Sequence, residues 1–211
     1  MKKTALLTAL LGAAFLATAA HAQTQAPAPA AAQSEGGYFG AGVISVSSKA
    51  GQTIASAFAG ASSESKSTGY KLFGGYMWGN WGIELGLYDL GLFEVKIAGA
   101  TSDKFESTAG TLSALYAAPF AGGKGVAKLK VGAAHVSNEY TCVSLCGAPF
   151  TNSEKTSTVL LTGVAVGWNI TPGITLLADF ERMSDVKYVV GTAGEFEGPI
   201  EMLSLSLQFT F

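Results

Sequence analysis

The chain alternates most clearly at its end. From Ile200 to Phe211, Leu203, Leu205, Leu207, Phe209 and Phe211 share one face, and Met202, Ser204, Ser206, Gln208 and Thr210 share the other. A period of two predicts a strand with one strongly apolar face and one small or polar face. The same pattern recurs upstream, predicting strands over about 37–47, 68–78, 81–90, 107–118, 126–137, 156–168 and 174–183. One parity carries Leu72 and Tyr76, Ile83, Leu85 and Leu87, Leu112, Ala114 and Tyr116, Leu129, Val131 and Ala133, Leu160, Val164 and Val166, and Leu176, Ala178 and Phe180. The other carries Lys71 and Phe73, Glu84, Gly86 and Tyr88, Lys128 and Lys130, and Asp179 and Glu181. Glycine and alanine blur the facing of the first strand.

The connections alternate too. Those near Asn80, over 119–125 and over 169–173 are short, whereas 48–67, 91–106, 138–155 and 184–199 are long and polar. A soluble sandwich would bury its apolar face against a second sheet. Alternating faces joined by short turns on one side and long loops on the other predict instead an all-β, eight-stranded, antiparallel up-and-down transmembrane β-barrel. The last strand must then close on the first, because an open edge is intolerable in lipid. This arrangement gathers Trp78, Trp81, Trp168 and Phe211 at the periplasmic rim as an aromatic girdle.

The start of the chain supplies the compartment. Met1 to Ala22 has a charged Lys2-Lys3 head, an apolar run and an Ala20-His21-Ala22 cleavage site, which is the layout of a secretory signal peptide. A retained helical anchor is the alternative, but the apolar run is short for one. Residues 23–35 are rich in Ala, Pro and Gln and predict an extended periplasmic linker; residues 36–211 form the barrel domain. Removing Lys2 and Lys3 leaves 11 basic and 15 acidic residues, a net charge of about −4, which excludes nucleic acid as a partner. Only 13% of residues are charged, 27 are glycine and the mean hydropathy is +0.33. Those values suit a barrel with lipid outside and a tight lumen inside.

Three segments carry a resemblance to a known family: GYKLFGGY at Gly69–Tyr76, GIELGLYDLG at Gly82–Gly91 and NITPGITLLADF at Asn169–Phe180. With the leader and the terminal Phe211, the chain resembles the OmpA-like transmembrane domain of Gram-negative outer membrane proteins. The resemblance implies a non-enzymatic outer membrane protein that contributes to membrane integrity and presents surface loops. Its partners would be outer membrane lipids, lipopolysaccharide and an unidentified surface or host ligand. It implies that Glu84 and Lys130 are an internal acid and base with Asp179 as a second acid, since inward charges persist only when paired. Leu115, Gly167 and Leu177 stand where better-known members carry charges, so a smaller lumen network is expected. A narrow small-solute pore is an alternative role, although eight strands enclose little more than their own side chains. Phe211, with Phe209 and Leu207 before it, is similar to the signal read by the outer-membrane assembly machinery.

Two further features concern chemistry. Cys142 and Cys146 are the only cysteines, and in an oxidising compartment a disulfide is expected. One remaining histidine beside them does not make a metal site, and no cofactor motif is present. His135-Val136-Ser137-Asn138 resembles the H-x-S-N motif of lipid A deacylases, which makes a lipid-modifying hydrolase using His135 and Ser137 the alternative function. A triad also needs an orienting carboxylate, for which Glu139 and Glu154 are candidates. The plainer reading is an interfacial histidine and a strand-end serine.

Overall fold

The structure, a computed structural model, describes residues 35–48, 61–63, 66–97, 100–142, 152–190 and 194–211. The expected signal peptide, all of the linker except Glu35, and Cys146 lie outside these residues. The described chain forms β1 (Gly36–Ser48), β2 (Ala61–Ser63), β3 (Lys66–Trp78), β4 (Trp81–Ile97), β5 (Ala100–Phe120), β6 (Gly125–Cys142), β7 (Ser153–Thr171), β8 (Ile174–Val190) and β9 (Gly194–Thr210). Every pairing is antiparallel: β1 pairs with β3, each strand from β3 to β8 pairs with the next, and β9 closes on β1 from Tyr38–Thr210 to Ser48–Ile200. The short β2 pairs only with the far end of β4. The result is a closed eight-stranded up-and-down barrel.

Alternation decides which side chains face where. On β9, Leu203, Leu205, Leu207 and Phe209 are exposed while Met202, Ser204, Ser206 and Gln208 are buried. The outward positions run from Trp168 to Leu160 on β7, apolar except at Thr162, and from Phe211 through Leu203 at the end of the chain, nine residues each. Nine tilted strand residues span a bilayer core. The first strand, unreadable from sequence, points Tyr38, Ile44 and Val46 inward and Phe39 and Val43 outward. Gly40 also points inward, where a Cβ would collide with the Phe73 ring, so only glycine lets that ring cross the lumen.

Two of the four expected long loops are largely strand, and a third is strand at both ends. β4 and β5 extend through 91–106 except at 98–99, β6 and β7 take up both ends of 138–155, and β8 and β9 cover 184–199 except at 191–193. Glu106, Glu139, Glu154 and Glu197 are exposed in these stretches while Phe93, Phe105, Tyr140 and Tyr188 are buried, the pattern of strand beyond the lipid, polar outside and packed inside. β5 alone has 21 residues, a height of roughly 50 Å at the usual tilt, against roughly 25 Å for the apolar band. The turns at the opposite end are tighter than expected. β5 runs to Phe120 before a single 3-10 turn at Ala121–Gly123, and β7 runs to Thr171 before Pro172-Gly173.

Candidate functional site

Inward positions of the barrel form three layers. Next to the turn end, Tyr38, Phe73, Met77, Leu115, Ala117, Val126 and Leu177 make an apolar cluster. Toward the far end a larger one includes Ile44, Val46, Leu90, Phe93, Phe105, Val136, Tyr140, Leu161, Met183, Val186, Tyr188, Ile200 and Met202. Between them lie three lysines and three carboxylates, Lys71, Lys128, Lys130, Glu84, Asp179 and Glu181, so the layer is electrically balanced. Leu115 and Leu177, which replace the charges expected of the family, belong to the turn-end cluster, and a Cβ on Gly167 would strike Leu177.

The charges are paired. Lys130 Nζ lies 2.5 Å from Glu84 Oε1 and 2.6 Å from Glu181 Oε1. Lys71 Nζ lies 3.0 Å from Asp179 Oδ2 and 3.3 Å from Glu181 Oε2. Hydroxyls complete the set: Tyr38 donates to Glu84 at 2.9 Å, Tyr88 donates to Glu181 at 3.0 Å, and Ser204 donates to Asp179 at 3.0 Å. Lys128 differs, donating to Gln208 Oε1 at 2.5 Å and standing 5.0 Å over the Tyr38 ring. Beside these groups is a cavity of about 10 Å³, bordered by Glu84, Lys128, Lys130, Asp179 and Glu181; that is room for about one water. The structure thus brings Glu84, Lys130 and Asp179 into one network, with Asp179 linked to the other two through Lys71 and Glu181. Lys71, Glu181 and Lys128 were visible as inward by parity. Tyr38 was hidden by the glycine-rich pattern around it.

On the outer wall, His135 and Ser137 do not meet as nucleophile and base. His135 Nδ1 is 3.0 Å from Thr158 Oγ1, and Ser137 Oγ donates to Glu154 Oε1 at 3.1 Å. Ser137 is therefore hydrogen-bonded to the carboxylate, and the histidine is held by a hydroxyl, which is not the order a serine relay requires. Glu139 stands directly between Glu106 and Glu154 on the neighbouring strands, with all three exposed. Among the described residues, no group of His, Cys, Asp and Glu is arranged to hold a metal.

The aromatic residues expected at the rim are all exposed there. Trp81 packs on Tyr116 at 4.8 Å, Trp78 on Tyr76 at 5.1 Å and Trp168 on Phe120 at 6.4 Å between ring centroids. Phe209 stacks on Phe39 at 5.1 Å, Phe211 sits 6.3 Å from the same ring, and Leu207 is exposed one step further along β9. The Phe211 amide donates to the Gly37 carbonyl at 3.0 Å, extending the closing seam by one residue. Cys142 ends β6, where its amide donates to Asn152 Oδ1 at 3.1 Å.

Residues 32–211 match the OmpA-like transmembrane domain. The chain belongs to that family. No curated protein matches it significantly. Among solved structures it is similar to Neisserial surface protein A, with 18% identity and a TM-score of 0.58 over 86% of this chain and 99% of that one. It is also similar to Ail, the attachment invasion locus protein of Yersinia pestis, with 13% identity and a TM-score of 0.53 over 84% of this chain and all of that one. At such identities the likeness is one of fold, and it joins this OmpA-like chain to other small barrels.

Proposed function

We propose that this OmpA-like protein is a non-conducting, non-enzymatic barrel of the Gram-negative outer membrane. It reinforces that membrane and raises a strand-built head for contact with surface partners. The observation that carries the reading is the filling of the lumen. Apolar clusters lie on both sides of a paired charge layer, so an ion would have to cross three packed layers in succession. The extended strands support the second half of the proposal, because packed side chains continue inside the wall well beyond the apolar band. Ail has been solved in complex with the heparin analogue sucrose octasulfate, which supports a ligand-binding role for barrels of this fold.

The remaining assignments follow from the same reading. Residues 1–22 are a cleaved export signal and 23–35 a periplasmic linker. The turn end faces the periplasm, its aromatic pairs anchoring the barrel at the lipid boundary while the outward leucines meet lipid and lipopolysaccharide chains. The far end faces outward, with Cys142 at the end of β6 bonded to Cys146; free-thiol labelling without reductant would then give no signal, and labelling at both cysteines would remove the bond. Phe211 and its strand are read by the assembly machinery. The direct test of the main reading is conductance of the purified protein in a planar bilayer. No stable steps are expected. Reproducible steps abolished by heat unfolding would show an open lumen and overturn it.

A further inference from the structure

The far end of the barrel is not a uniform cylinder. β4 has a register shift between Asp89 and Leu92, and β8 has one between Met183 and Val186. Each shift carries a positive φ, 75° at Gly91 and 55° at Asp185, which is the signature of a strand bent by an inserted residue. In the closed order of eight strands these two stand on opposite sides. Beyond its bulge β8 pairs on with β9 to Val190, while β4 pairs on with β5 to Ile97 and, on its other side, with β2 over Val95–Ile97. Among the described residues the β3–β4 ladder stops at Tyr70–Asp89 and β2 takes up the same edge of β4 beyond the bulge, whereas the β7–β8 ladder stops at Leu161–Met183 and is not resumed. The head is therefore interrupted along the β7–β8 seam, with one half, β4–β5–β6–β7, on one side of it, the other half, β3–β1–β9–β8, on the other, and the far apolar cluster between them.

The two seams differ in kind. At β3–β4, a Cβ on Gly91 would lie 2.5 Å from the Thr68 carbonyl oxygen, so the backbones are in contact. At β7–β8, continuing the register past Leu161–Met183 would place Ser157 opposite Lys187. Instead of a backbone bond, the Lys187 amide donates to Ser157 Oγ at 3.5 Å. Asn138 Nδ2 donates to the Lys187 carbonyl at 2.8 Å, and Ser153 Oγ donates to the Val189 carbonyl at 3.1 Å. Ser107 Oγ donates to Asn138 Oδ1 at 2.6 Å, which fixes that amide from within its own half. On the other half, the Ser48 and Tyr188 hydroxyls are 3.3 Å apart. Side chains thus stand where ladder bonds would be, and they satisfy the edge of β8 without pairing it.

We propose that the β7–β8 seam is a lateral latch. Ser153, Ser157 and Asn138 hold it shut, and its opening swings residues 186–190 of β8, with the β9 residues paired to them, from β7 about the Asp185 bulge while the membrane barrel below stays closed. Opening uncovers Val186, Tyr188 and Val159, an apolar surface above the lipid. Local opening of this kind belongs to segments held by few backbone bonds.

Hydrogen exchange of the full protein in lipid nanodiscs tests the latch. In the native chain the Lys187 amide is expected to exchange at least tenfold faster than amides of 203–209. The double variant Ser153→Ala, Ser157→Ala should speed exchange over 186–190 by a further tenfold, leave 126–134 and 203–209 unchanged, and increase binding of an apolar fluorescent dye. A Ser157→Cys, Lys187→Cys cross-link in the Ser153→Ala chain should instead keep exchange over 188–190 and dye binding at or below the native level. Protection at Lys187 equal to that of 203–209, no response to the double variant, or a uniform loss of protection around the barrel would each overturn the proposal.

Discussion

Lys130→Met is the sharpest probe of the charge layer. Methionine keeps most of the side-chain volume and removes the ammonium. Lys130 serves two carboxylates, and the three side chains are 9% exposed for Lys130, 6% for Glu84 and 1% for Glu181. Glu181 would keep Lys71 and the Tyr88 hydroxyl. Among the described residues Glu84 would keep one hydrogen bond, from the Tyr38 hydroxyl, with Lys128 across the same small cavity. Breaking a buried pair from one side costs about 3–5 kcal/mol, because a buried charge loses its compensation. The loss falls on Glu84, so Glu84→Gln in the same chain should restore well over half of it, although Glu84→Gln alone is destabilising. The assay is reversible urea unfolding in detergent, followed by tryptophan fluorescence and by the heat-dependent shift in gel mobility. A loss below about 1 kcal/mol for Lys130→Met, or a double variant no more stable than the single one, would refute the claim that the layer is dry and its charges mutually dependent.

Three further outcomes are expected. Ser206 Oγ is buried with no hydrogen-bond partner among the described residues, so Ser206→Ala should be neutral or stabilising by about 1 kcal/mol in the same unfolding assay; a loss of that size would reveal an ordered water or a missed partner. Glu139→Lys places a cation between Glu106 and Glu154 and should stabilise by about 0.5 kcal/mol at low salt, with the gain fading at high salt; a salt-independent change would remove the electrostatic explanation. Deleting Phe211 removes one exposed ring and one rim hydrogen bond, worth about 2 kcal/mol or less, yet it should cut the amount reaching the outer membrane far more than it lowers refolded stability. Matched losses would leave Phe211 an ordinary anchor.

The membrane half of this barrel was legible because lipid imposes a strict rule. Every outward position from Leu203 to Phe209 must be apolar, so a period of two exposes both the strand and its facing. Glu84, Lys130 and Asp179 could be placed inside by the same parity. The head was not legible. Outside the lipid the outer parity is free to be polar, and stretches such as 91–106 and 184–199 lose the contrast that marks a strand, although Phe93, Phe105, Tyr188 and Ile200 still fill the inner parity. β1 failed for a different reason. Gly40 and Gly42 take inward positions against Phe73 and Ser206, so the apolar mass that would reveal its facing is supplied by other strands. The separation of His135 from Ser137 follows from register, since Thr158 is paired with one and Glu154 lies diagonal to the other. No reading of a single strand contains that information.

The central claim is a lipid-spanning barrel with outward leucines and a dry, charge-paired interior. Spin labels placed one at a time from Met202 to Phe209, in protein reconstituted into lipid, test it most directly. Oxygen accessibility should be high at 203, 205, 207 and 209 and low at 202, 204, 206 and 208, and a water-soluble nickel relaxant should reach neither set. A flat profile, the opposite parity, or nickel access at 204 and 206 would contradict it.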